Sequence, residues 1–104
     1  MQEGIALTEA TYYILLALYK PQHGYGIMQE VEARSNGRVR LAAGTLYGVL
    51  SSMVDKHWIV QLPIDPGSRK KNYQITELGL TVLQNEVERL RELVVNGDNV
   101  LGGK

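Results

Sequence analysis

The chain has 104 residues, no cysteine, and eleven Lys and Arg against eleven Asp and Glu, so its formal net charge is zero. That length builds one small domain, and the missing thiols exclude a disulfide framework and a thiolate metal site. Neutrality excludes a strongly charged disordered chain, but the charge is unevenly placed. Arg34, Arg38, Arg40, Lys56, Arg69, Lys70 and Lys71 face only Asp55 and Asp65 within one stretch, a net +5, and the remainder carries −5. A basic middle segment suits a polyanion-binding surface; scatter over a solvated face is the other reading. His23 and His57 are far apart in sequence and have no third ligand nearby, so neither a metal nor another cofactor is expected. The N-terminal MQEGIALTEA lacks the basic-then-apolar order of a secretory leader. No apolar run approaches the ~18 residues of a membrane span, and a cytoplasmic protein is expected.

Thr8 is a candidate N-cap for a first helix running to about Lys20. Ala10, Tyr13, Ile14, Ala17 and Leu18 make one apolar face, and Tyr12, Leu15, Leu16 and Tyr19 cover much of the other. A helix apolar all round must be covered all round, more than one small domain readily supplies. Pro21-Gln22-His23-Gly24 breaks it. A second helix fits Tyr25 to Ser35, with Tyr25, Ile27, Met28 and Val31 inward and Asn36-Gly37 as its stop. Arg38-Val39-Arg40-Leu41 alternates and predicts a very short strand.

A third helix spans about Ala43 to Lys56. Leu46, Val49, Leu50, Met53 and Val54 give a buried stripe, and Gly44, Gly48, Ser51 and Asp55 lie opposite, flanked by Thr45, Tyr47 and Ser52. Each interior glycine costs about 1 kcal/mol relative to Ala. A bare face that lies against another surface would repay that; otherwise Gly44 belongs to the first turn and Gly48 is merely tolerated. Ile59 to Ile64 and Arg69 to Ile75 then read as two strands around Asp65-Pro66-Gly67-Ser68, whose Pro and Gly fit a type II turn. The consecutive cations Arg69, Lys70 and Lys71 either protect a strand edge or form a wing that contacts phosphates.

Thr76 caps a last helix to about Val95, with Asn96-Gly97 as its stop. Its twenty residues span about 30 Å, too long for so small a body to cover. Leu83, Val87, Leu90 and Val94 form a short heptad seam. This seam and the all-round apolar first helix point to a homodimer through Tyr12, Leu15, Leu16, Tyr19, Leu83, Val87, Leu90 and Val94; the alternative is packing within one chain. The expected organisation is a winged helix-turn-helix over 1–75, a dimerisation helix over 76–95 and a flexible tail over 96–104. The fold class is mainly α with a small β-hairpin.

These residues resemble the PadR family of bacterial transcriptional regulators over Leu7 to about Leu93. The carriers are Leu15 and Leu18, Pro21-Gln22-His23-Gly24-Tyr25-Gly26-Ile27, Gly44-Thr45-Leu46-Tyr47, Leu50, Met53, Trp58-Ile59, and Arg69-Lys70-Lys71-Asn72-Tyr73-Gln74-Ile75-Thr76-Glu77-Leu78-Gly79. The single last helix is similar to the shorter branch of that family. The resemblance implies a dimeric winged helix that binds pseudo-palindromic double-stranded operator DNA, usually as a repressor, with small hydrophobic or aromatic effectors. It places Gly44, Thr45, Tyr47 and Gly48 on a recognition helix and Arg69, Lys70 and Lys71 in the wing; Ser51, on the same small-residue face, is also an expected DNA contact. The chain departs from the pattern in three places. Ala42 stands where a Ser-like cap is common, His57 stands where Gly is common, and the last helix has no Trp to stack on a flat ligand. Tyr12, Tyr13 and Tyr19 line an inter-subunit cavity or serve as core tyrosines. Tyr47 either reaches a phosphate or packs beside Val54. A winged helix used only for protein–protein contact is the alternative function, and no nucleophile–base pair or phosphate-cradling loop suggests an enzyme.

Overall fold

The computed structural model describes residues 6–102. The chain runs α1 (Glu9–Ala17), β1 (Gln22–His23), α2 (Gly24–Arg34), α3 (Ala43–Asp55), β2 (Ile59–Gln61), β3 (Asn72–Ile75) and α4 (Glu77–Val100). It is mainly helical, with a small antiparallel sheet and a long last helix, as the sequence predicts. The Thr8 hydroxyl caps α1 by accepting the Thr11 N–H at 3.1 Å. One core joins Ile14 of α1, Leu18 just after it, Ile27 of α2 and Leu46, Leu50 and Met53 of α3, and it is floored by Ile59 and Tyr73 of the sheet.

α1 stops at Ala17, short of the expected Lys20, because the Leu18 N–H bonds back to Ile14 and Leu15 and the chain turns. Its burial is lopsided rather than all-round. Leu15 is 0% exposed and belongs to the protomer's own core, so it offers nothing to a partner; Tyr12 and Leu16 are half-buried and Tyr19 is exposed. Leu83 is corrected in the same way, at 5% exposed.

The sheet takes its third strand from Gln22–His23, not from Arg38–Leu41. The order is β1-β3-β2, with Gln22 and Gln61 opposite Tyr73 from either side. Residues 38–41 alternate for another reason. The buried Ser35 hydroxyl accepts the Val39 N–H at 2.9 Å and turns the chain, so Val39 and Leu41 sink half-way while Arg38 and Arg40 stay out. The wing strands are shorter than expected, but its type II turn forms: Gly67 has φ 83° and the Ser68 N–H reaches the Asp65 carbonyl at 3.0 Å.

Helices α2 and α3 end alike. After α2 the N–H groups of Asn36 and Gly37 bond to Ala33 and Glu32; after α3 those of His57 and Trp58 bond to Val54 and Met53. Both are Schellman closures with a left-handed residue outside the helix, Asn36 (φ 55°) and His57 (φ 64°). Asn96-Gly97 makes no such closure. α4 runs through it to Val100, and Gly102, at φ 71°, takes the left-handed position instead. The expected tail is therefore helical from 96 to 100, while 103–104 lie outside the described residues.

Twenty-four residues make α4 about 36 Å long. The radius of gyration is 15.5 Å, against about 13 Å for a compact chain of this size, because α4 outruns the body. Its first turn is pressed hard on the sheet. A Cβ on Gly79 would lie 2.0 Å from the Trp58 carbonyl oxygen, and the Thr76 hydroxyl both donates to His57 O at 2.6 Å and accepts the Gly79 N–H at 3.0 Å. Further along, Glu86 is 4% exposed. It accepts two hydrogen bonds from Arg89, at 2.8 and 2.6 Å, and one from the Leu7 N–H at 3.3 Å. The Arg89 bonds hold its carboxyl below the ordinary glutamate value, against the opposing pull of burial.

Candidate nucleic-acid interface

The sequence of α3 divides it into two faces, and packing keeps them apart. Leu46, Leu50 and Met53 are buried, while Gly44, Thr45, Tyr47, Gly48 and Ser51 are all exposed. Nothing lies within 4 Å of a Cβ built on Gly44 or Gly48, so the face is bare. Ala42 occupies the N-cap without a side-chain hydrogen bond. The first N–H groups of α3 therefore have no side-chain cap, and the helix dipole is positive there.

Tyr47 joins this face to the wing. Its ring lies over Gly24 at the start of α2, and Tyr47, His23, Gly24 and Tyr25 line a cleft of about 470 Å³ with Arg69, Lys70 and Lys71. Burial, and secondarily the nearby Tyr47, raise the Tyr73 phenol above its ordinary value. The chain thus brings three wing cations and the α3 tyrosine to one opening.

The basic segment is less uniform than its sequence suggests. Arg34 pairs with Glu30 at 2.8 Å, Arg40 with Glu32 at 3.4 Å, and Arg38 with Glu9. Lys56, Arg69, Lys70 and Lys71 have no carboxylate partner among the described residues; Lys56 instead sits 4.8 Å over the Trp58 ring. Within this segment, unpaired cationic charge is concentrated at the wing and the end of α3.

Sequence reasoning missed His23 and Tyr25. Tyr25 is 63% exposed, not part of an inward stripe. The buried residues of α2 are Gly24, Gly26, Ile27 and Val31, with Met28 half-buried. Ile27, Met28 and Val31 do turn inward as the sequence predicts; Gly24 and Gly26, which give periodicity no side chain to read, take the place expected of Tyr25. Away from this surface, Tyr12, Val87, Leu90, Arg91, Val94 and Val95 line a largely apolar groove of about 450 Å³ between α1 and α4. No helix among the described residues is long and apolar enough to cross a membrane.

A helix-turn-helix with a bare second helix beside a cationic hairpin defines the winged-helix class of transcriptional regulators. The chain matches the Transcriptional regulator PadR-like family over residues 13–85 and belongs to the PadR family. Regulators of this family are DNA-binding proteins rather than enzymes, and they typically dimerise. An uncharacterized protein of Lysinibacillus sphaericus is 32% identical over 80 residues, 75% of this chain and 73% of the relative. Among solved structures, a PadR family transcription regulator from Clostridium difficile superposes with a TM-score of 0.76 at 23% identity, covering 90% of this chain and 99% of the other. A PadR family regulator from Eggerthella lenta gives 0.68 at 25% identity, covering 88% and 79%. A transcriptional regulator described as putative, from Thermoplasma acidophilum, gives 0.68 at 24%, covering 91% and 90%.

Proposed function

We propose that this PadR family regulator is a repressor that binds a pseudo-palindromic operator as a homodimer. Each protomer lays the Gly44, Thr45, Gly48 and Ser51 face of α3 in a major groove, with Tyr47 at its border and Arg69, Lys70 and Lys71 on the flanking phosphates. The carrying observation is the juxtaposition of an α3 face free of bulk with wing cations that no carboxylate among the described residues neutralises. Bare backbone and hydroxyls suit close approach to base edges, and cations at one side suit phosphates.

The dimer reading is supported by the apolar α1–α4 groove and by the exposed end of α4, where Val94, Val95 and Leu101 have no cover. Tyr12, Leu16, Tyr19, Val87, Leu90 and Val94 remain available for that contact. Two-fold pairing would present the two α3 helices to half-sites about 34 Å apart. A small hydrophobic or aromatic effector in the groove would relieve repression.

An electrophoretic shift assay with the DNA upstream of the protein's own gene tests the reading. A retarded band at low salt is expected, weakening steeply as salt rises. Replacing Lys70 and Lys71 with Ala should weaken binding to every sequence and flatten the log–log salt slope by about 0.9 for each lost phosphate contact. No band at low salt would leave a winged helix that serves protein–protein contact.

A further inference from the structure

Arg38 stands on the connector that leads from α2 into α3, and its side chain is 68% exposed. Its guanidinium is held by Glu9, in the first turn of α1, with the Tyr13 hydroxyl of the same helix beside it. This pair differs from Arg34–Glu30, which lies within one helix. It ties the segment feeding the recognition helix to a separate element. Glu9 is also open to solvent, at 45%, and an exposed pair of this kind contributes little net stability. A DNA phosphate offers a guanidinium two anionic oxygens, as the Glu9 carboxylate does, although the phosphate is tetrahedral and the carboxylate planar. Exchanging one acceptor for the other keeps the guanidinium's charge paired.

We infer that Arg38 is a phosphate contact held in reserve: Glu9 occupies its guanidinium in the free protein and yields it to the DNA backbone on binding. The inference rests on the DNA-binding reading above. In it, Glu9 acts as a positioning residue that sets how much affinity Arg38 adds.

Fluorescence anisotropy with a mixed-sequence duplex of about 30 base pairs, long enough for two half-sites, reads the exchange. Phosphate contacts are sequence-independent, so no operator is needed. Wild type, Glu9→Gln, Arg38→Gln and the double variant are titrated over a range of KCl. Arg38→Gln should weaken binding and flatten the log–log salt slope by about 0.9 per protomer, and Arg38→Lys, which keeps the charge, should restore the slope. Glu9→Gln should tighten binding by up to about five-fold per protomer, the weight of an exposed ion pair. The double variant should match Arg38→Gln, because Glu9 matters only through Arg38. Thermal melting of each variant checks that the fold is intact. A salt slope unchanged by Arg38→Gln overturns the inference. So does a Glu9→Gln gain that persists without Arg38, which would be a general charge effect. A wild type that binds no duplex at low salt removes the DNA-binding reading and the exchange with it; a wild type that binds while Arg38→Gln changes nothing removes the exchange alone.

Discussion

The end of the Tyr47 side chain covers the backbone of Gly24: a Cβ at position 24 would lie 2.3 Å from the Tyr47 hydroxyl oxygen. The first residue of α2 is thereby interlocked with α3, and Tyr47 lines the cleft shared with the wing cations. Gly24→Ala forces the ring to move. Because Tyr47 is partly exposed, the ring can swing outward at little cost to the core. The expected outcome is a urea midpoint close to wild type with DNA affinity reduced roughly ten-fold, the weight of about one hydrogen bond to a charged group. Equal affinities in the two proteins would show that the placement of Tyr47 is not used in binding.

Gly48 offers the opposite separation of stability from function. It sits in the interior of an exposed helix face with open space around it. Gly48→Ala should therefore stabilise the free protein by about 1 kcal/mol. The added methyl group occupies the face assigned to the major groove, so specific binding should weaken while the unfolding midpoint rises. Measuring both on one preparation tests the contact role of α3; a midpoint and an affinity that rise together would exclude it.

The elements that were legible in the sequence are those whose signal is local. The 3.6-residue stripe of α3, the Thr8 and Thr76 caps and the Pro66-Gly67 turn each depend on a few neighbouring residues. What was missed depends on partners distant in the chain. Gln22–His23 reads as a helix breaker and becomes a strand only because Tyr73 and Asn72 lie opposite. The two Asn-Gly pairs make the point sharply. Asn36-Gly37 ends α2, whereas α4 passes through Asn96-Gly97, so the same dipeptide stops one helix and not the other. At the candidate interface the exposed α3 residues were readable from periodicity. The pairing of Arg38 with Glu9 was not, since it joins positions 29 residues apart.

Val94 tests the dimer reading. It is 62% exposed and lines the apolar α1–α4 groove. Val94→Glu costs the protomer almost no buried surface but places a charge in the proposed interface, where desolvating it is unfavourable. Sedimentation equilibrium should show a monomer of unchanged helicity, and operator affinity should fall because the half-sites are no longer bound together. A dimer that persists would place the interface elsewhere.

His57 holds the left-handed position of the α3 closure, where a side chain strains the backbone and Gly is the usual occupant. Its carbonyl accepts the Thr76 hydroxyl at 2.6 Å, a bond that does not need the imidazole. The left-handed conformation costs a non-glycine residue about 1 to 2 kcal/mol, and glycine's extra freedom in the unfolded chain offsets part of the relief. His57→Gly should therefore stabilise by roughly 0.5 to 1 kcal/mol, seen as a higher urea midpoint at unchanged slope. A lower midpoint would mean that the ring makes a contact worth more than the strain.

Glu86 gives the stability a defined pH dependence. Its folded carboxyl titrates below the ordinary glutamate value because Arg89 hydrogen-bonds its charged form, and the Leu7 N–H adds to the same effect. A group whose folded value is depressed contributes fully above its unfolded value, about 4.3. That contribution is lost as pH falls through the folded value. Glu86→Gln should cost about 1 to 2 kcal/mol at neutral pH, since the buried amide keeps a donor–acceptor role but loses the charge-assisted bonds. Arg89 is partly exposed and can turn to water, which limits the loss. Urea midpoints from about pH 7 down to about pH 3 should therefore converge for the two proteins on the acid side. A gap that stays constant across that range would show that Glu86 carries no linked proton.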